Sequence, residues 1–145
     1  MKVTTTTSSI FTVLTVFAAA VVHAKSIPTE NVTYSNIYDN GAQSLSSLAC
    51  AQWAKEKHYK TLSDVPGFPY VAGAPAVAYG HTKGCGEYYS IKNQHTHKII
   101  RVTVVDASGS DFVLSSAAFN NVTDGKGSDV GSFKGIVNSE KKLHA

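Results

Sequence analysis

Ile99-Ile100-Arg101-Val102-Thr103-Val104-Val105-Asp106 is the strongest strand-forming stretch of the chain. Its apolar run is interrupted by Thr103 and does not alternate strictly, which predicts a strand covered on nearly its whole surface and rich in β-branched residues. Such a strand delivers Asp106 to its end, where a rigid element can present a carboxylate. On the near side, Tyr88 to Ile91 reads as a second strand, with His95-Thr96-His97 at the connection between the two. Beyond it, Ser110-Asp111-Phe112-Val113-Leu114 restarts the chain as a strand or a helix entry. Ser115 to Asn121 reads as a short helix turning Ala118 and Phe119 to the core and closing at Asp124-Gly125-Lys126-Gly127. Ser132 to Val137 makes a final strand, and the polar residues 138–145 are expected to fray.

Upstream the signals are shorter. Asn31 to Asn36 favours a strand, and Asp39-Asn40-Gly41 supplies a turn tolerant of positive φ. Ser44 is placed to cap a helix carrying Leu45, Leu48, Ala49 and Trp53 at near-helical spacing. Lys55, Lys57 and Lys60 read as a solvated face, and Trp53 as core or half-buried filler. Residues 61–86 hold three prolines and five glycines, which excludes long helices, while Val71 and then Ala76, Val77, Ala78 and Tyr79 mark short buried strands. The elements are many, short and largely β.

The first residues have the layout of a secretory leader: basic Lys2, an apolar stretch from Ile10 to Val22, and small residues at Val22 and Ala24 before Lys25. Residues 1–24 are therefore expected to be removed, leaving 25–145 as one domain, extracellular or wall-associated. In an oxidising compartment the chain's two cysteines, Cys50 and Cys85, are expected to pair rather than bind metal or act as a redox couple. Thirteen basic residues stand against ten acidic ones, and Lys2 leaves with the leader, so the net charge is too weak to argue for nucleic acid. Past the leader no apolar run approaches a bilayer span of roughly 20 residues. Asn31-Val32-Thr33 and Asn121-Val122-Thr123 are glycosylation sequons, which makes Asn31 and Asn121 candidate acceptors. His95 and His97, with His81, offer too few ligands of defined geometry for a catalytic zinc, and no serine elbow is present, so no metal and no cofactor are expected.

Taken in order, Val32-Thr33-Tyr34, Tyr38-Asp39-Asn40, Ser44-Leu45 to Cys50, Phe68-Pro69-Tyr70-Val71-Ala72-Gly73, Ala76-Val77-Ala78, Cys85-Gly86, Val105-Asp106 and Ala118-Phe119-Asn120 with Gly125 resemble the cerato-platanin family of small secreted proteins of filamentous fungi. The resemblance spans residues 32–133. It implies a mainly β fold, a six-stranded double-ψ β-barrel related to the first domain of expansins, with short peripheral helices and a shallow groove across one face. It further implies binding of chitin-type N-acetylglucosamine oligomers or other wall polysaccharide without hydrolysis, and a role as elicitor or effector at a plant interface, with a plant receptor as a possible partner and a monomer or weak dimer as the unit. The chain departs from the family pattern in its cysteines. Tyr88 stands where a further cysteine is usual, and the cysteine near the C-terminus is absent as well, so Cys50–Cys85 is the pair the family retains. Tyr79-Gly80-His81 and Ala107-Ser108 also differ from the usual segments at the groove edge.

Sugar recognition needs amide or carboxylate groups for hydroxyls and an aromatic face for the apolar side of the ring. Asp39, Asn40, Ser44 and Asp106 can supply the first, and Tyr34, Tyr38 and Tyr79 the second; the expectation is that they converge on one groove. Glycoside cleavage needs two carboxylates about 5 to 9.5 Å apart. Asp106 is the candidate acid, and Asp39 the candidate second group, although a turn aspartate commonly bonds backbone. Binding without cleavage is the favoured reading. The alternatives are an expansin-related wall-loosening or weakly lytic protein using Asp106, and a surface-active or receptor-binding protein with no sugar affinity.

Overall fold

A computed structural model describes residues 29–140 of the chain. The expected leader, residues 1–24, lies outside the described residues, as do residues 141–145. Six strands are present: β1 (Glu30–Ser35), β2 (Val71–Ala74), β3 (Tyr88–Asn93), β4 (Ile99–Ala107), β5 (Phe112–Ser115) and β6 (Phe133–Glu140). They close a barrel in the order β1-β5-β2-β4-β3-β6. β1 runs parallel to β5 and β2 parallel to β4, and the other neighbours are antiparallel. This is the expected six-stranded double-ψ barrel, and its helices are short and peripheral: α1 (Ala51–Glu56), α2 (Ser116–Val122) and α3 (Gly127–Val130).

The covered strand is β4. Ile100, Val102 and Val104 join one buried cluster with Ile91, Leu114 and Phe133. Val105 joins another with Leu45, Leu62 and Val71. Thr103 is also buried, and its hydroxyl donates to the Pro66 carbonyl at 2.7 Å, so the one polar group in the run is satisfied. Pairing with β2 shifts by one residue: Ala72 opposes Val104 but Gly73 opposes Asp106, leaving Val105 bulged. A Cβ on Gly73 would stand 2.8 Å from the Tyr38 hydroxyl, which explains the glycine opposite Asp106.

Three local expectations are corrected, and one open reading is settled. Ala76 to Tyr79 is not strand: Pro75 carries no N–H, Val77 N–H turns back to the Ala74 carbonyl, and Ala76, Ala78 and Tyr79 are exposed. The helix expected from Ser44 is divided. Ser44 caps a single 3-10 turn at Leu45–Ser47, Leu48 is extended, and α1 begins only after Cys50. The ambiguous 110–114 segment resolves as strand β5. Residues 138–140 do not fray; they complete β6, with Tyr88 opposite Glu140, Tyr89 opposite Ser139 and Ser90 opposite Asn138 on β3.

Cys50 and Cys85 form a disulfide with a Cα–Cα distance of 5.6 Å. Trp53 is half-buried as filler, packed against both buried clusters and edge-on to Tyr59 at 5.6 Å. Its indole lies so close to Gly86 that any Cβ there would overlap it at 2.4 Å.

Candidate functional site

Asp106 sits half-buried next to the end of β4. Its Oδ1 accepts the Ala49 N–H at 2.7 Å and its own neighbour Ala107 N–H at 2.9 Å. Its Oδ2 accepts the Tyr38 hydroxyl at 3.0 Å. Three hydrogen bonds thus hold the Asp106 carboxylate. Tyr38 responds to that charge. Burial first, then the charge of Asp106 and the hydrogen bond to it, and last the neighbouring Tyr79, push the Tyr38 phenol well above its ordinary value. Tyr79 itself is 74% exposed, the most exposed large hydrophobic side chain among the described residues. Tyr38 is thus bonded to Asp106 and feels Tyr79, and at 5% exposure it presents little of its ring face.

The other candidates go elsewhere. Asp39 accepts Ser116 N–H and Ala117 N–H with its two oxygens, both at 2.9 Å, so it caps the first turn of α2 from 77 residues away. Sequence reading gave Asp39 a structural role within its own turn. The partner is in fact a distant helix, for which no local pattern exists. Asn40 forms an Asx turn, accepting Ala42 N–H at 3.1 Å. Ser44 caps its 3-10 turn through Ser46 N–H. Tyr34 packs against Phe119 with ring centroids 4.8 Å apart and borders a cleft of about 240 Å³ shared with Ser116, Asn120 and Ser128. Of the seven candidates, Asp106 and Tyr38 share a hydrogen bond and Tyr79 acts on Tyr38, while Asp39, Asn40, Ser44 and Tyr34 are engaged in caps, a turn and a ring contact.

Of the sequon asparagines, Asn121 is exposed and donates to the Tyr70 hydroxyl at 3.0 Å, whereas Asn31 donates to Asp111 at 2.9 Å, a bond that a glycan on its amide would disturb. Among the described residues no three His, Cys, Asp or Glu side chains come together as a metal site. No helix among them is long and apolar enough to cross a membrane.

Three comparisons bear on this arrangement. The family pattern described as Cerato-platanin matches residues 30–143. An allergen of Aspergillus fumigatus is 28% identical over 103 residues, 70% of this chain and 66% of the relative, so the chain spans about two thirds of that protein's length. Among solved structures, cerato-platanin 3 of M. perniciosa superposes with a TM-score of 0.74 at 27% identity, over 79% of this chain and 96% of the other. An expansin of Clavibacter michiganensis in complex with cellohexaose superposes with a TM-score of 0.56 at 14% identity, over 81% of this chain and 52% of the other, a likeness of fold alone.

Proposed function

The chain belongs to the cerato-platanin family, and from that premise we propose that it is a secreted, non-catalytic protein that binds chitin-type N-acetylglucosamine oligomers or related wall polysaccharide at Asp106. The observation that carries this is the setting of Asp106: a carboxylate fixed near a strand end by three hydrogen bonds, one of them from Tyr38, whose phenol also feels the exposed Tyr79. A carboxylate has about four acceptor positions, so one remains for a sugar hydroxyl. The Tyr38 oxygen, which donates to Asp106, can accept a second. Tyr79 supplies a flat apolar face for the sugar ring. The expansin of the same fold holds cellohexaose, which makes a β-linked glucan-type chain a sensible ligand class for this face.

Cleavage has less support. A lytic mechanism needs a proton held by one carboxyl and a free second carboxylate. Both oxygens of Asp39, the candidate second group, already accept the backbone of α2. Binding then acts by competing with sugar-to-sugar hydrogen bonds or by sequestering fragments, the basis of an elicitor or effector role at the surface of a host plant.

The test is an NMR titration of the purified chain with N-acetylglucosamine hexamer and with cellohexaose, each tube afterwards checked by mass spectrometry. Saturable shifts around Asp106 and Tyr79 with the oligomer intact are expected. Shorter products would replace this reading with the lytic one, and absence of shifts with both sugars would replace it with recognition of a protein partner.

A further inference from the structure

The largest of the described clefts, about 510 Å³, does not involve Asp106 or Tyr79. It opens over α1 and the chain that leaves it. Its inner surface is Ala51, buried Ala54 and the half-buried ring of Tyr59. Around these stand the exposed side chains of Lys55, His58 and Lys60, and Ser44 and Gln52 add hydrogen-bonding groups. No carboxylate lines it. The nearest in sequence are Glu56, which accepts from Gln52 at 3.1 Å, and Asp64, which accepts the N–H groups of Lys60 and Thr61 at 2.8 and 2.9 Å and whose charge also meets that of Lys60, leaving Lys55 as the less compensated cation. The two ion pairs among the described residues, Lys98–Asp124 and Arg101–Glu140, lie elsewhere.

His58 stands at the same cleft. It is the residue after the end of α1 in a Schellman arrangement, with Tyr59 N–H bonded to the Ala54 carbonyl and His58 N–H to the Lys55 carbonyl. Its φ is 61°, the left-handed region where glycine is the favoured occupant of this position. An imidazole is thus held at the cleft in a backbone conformation that His97 and Asp124 share elsewhere in the chain, and that glycine would adopt at lower cost.

We propose that this cleft, with an apolar and aromatic floor and Lys55, His58 and Lys60 around it, is a second binding site for a carboxylated oligosaccharide, an oligomer of uronic acids. A sugar ring lies on Tyr59 by its apolar face, successive carboxylates meet Lys55 and Lys60, and His58 adds a hydrogen-bonding group, so the two lysines on different residues of the rim suit a chain carrying several charges. The volume is within the range of sites that hold drug-sized ligands.

The probe is tetragalacturonate, followed by NMR and calorimetry, with the uncharged oligogalactose of equal length as control. Saturable binding is expected, with shifts at Lys55, His58, Tyr59 and Lys60, weakening as salt rises from about 0.05 to about 0.3 M because exposed charges are screened. The double variant Lys55→Gln/Lys60→Gln is expected to bind about tenfold more weakly while keeping its fold, since both side chains are exposed. His58→Gly separates function from folding: it is expected to raise the melting temperature, by relieving the left-handed backbone, and to weaken tetragalacturonate binding. Equal binding of the neutral oligomer, affinity unchanged in the double variant, or binding of inorganic phosphate in place of tetragalacturonate would each overturn the proposal.

Discussion

Two parts of the molecule are fastened in opposite ways. The segment from Ser44 to Cys50 lies outside the barrel, pairing with another strand segment only at the isolated bridge from Ser44 to Thr61. It is tied by buried Leu45 and Leu48, by the Leu45 N–H bond to the Lys60 carbonyl, and by two further single contacts, the Cys50–Cys85 disulfide and the Ala49 N–H bond to Asp106. The C-terminal strand β6 has instead a ladder with β3 over six residue pairs and a second with β1 over three. Its end adds surface contacts: Arg101 stacks over the Tyr88 ring at 4.0 Å and ion-pairs with Glu140 at 2.7 Å. Tyr88 and Glu140 are direct cross-strand partners. Where the family usually has a cysteine, this chain holds the position by distributed pairing. An element with a ladder can lose a covalent tie; an element without one cannot.

The comparison can be broken most forcefully at the disulfide. Replacing both Cys50 and Cys85 by alanine releases a 35-residue loop and is expected to cost about 3 to 4 kcal/mol in a denaturant melt, with the Ser44–Cys50 segment losing hydrogen-exchange protection first. Asp106→Ala comes next. It leaves the buried Tyr38 hydroxyl and the Ala49 N–H without an acceptor, an expected loss of about 2 to 3 kcal/mol measured the same way.

Tyr38→Phe is milder, about 1 kcal/mol, and it changes the pH profile. The Tyr38 phenol is raised above its unfolded value of 10.0, so its contribution is fully present below pH 10 and is lost as pH rises beyond it, because the unfolded chain ionises and the folded one resists. The wild-type chain should lose stability in that alkaline range more steeply than the phenylalanine variant. Arg101→Ala is expected to cost least, under about 1 kcal/mol, because its ion pair with Glu140 is solvent-exposed. A loss above that of Asp106→Ala would reverse the contrast between the two regions.

What was legible in the sequence follows the same division. β4 and β3 could be read because ladders leave periodic, β-branched runs, and α2 because Ser115 and the Gly125 region mark its ends. The barrel's closure and its parallel pairs were available only through the ordered set of family residues, since nothing local specifies which strands meet. The single contacts were the least legible. Asp39 reaching α2 across 77 residues, and Asp106 reaching Ala49 across 57, leave no spacing to find. Val77 shows the reverse failure: it is buried as expected, yet its neighbours form a turn because Pro75 ends the ladder. For the candidate site, residue type singled out polar and aromatic side chains but not their partners: Asp39, Asn40 and Ser44 serve backbone caps and turns, a use that residue type does not separate from ligand binding.

The proposed activity turns on Asp106 and Tyr79, and Tyr79→Ala tests it most directly because this side chain is exposed enough to be removed without disturbing the fold. Melting should change by no more than about 0.5 kcal/mol, while the affinity for N-acetylglucosamine hexamer in a calorimetric titration should fall about tenfold, the value of one lost ring-stacking contact. Unchanged affinity in a folded Tyr79→Ala chain would contradict the account, because the sugar would then bind without the face proposed to hold it.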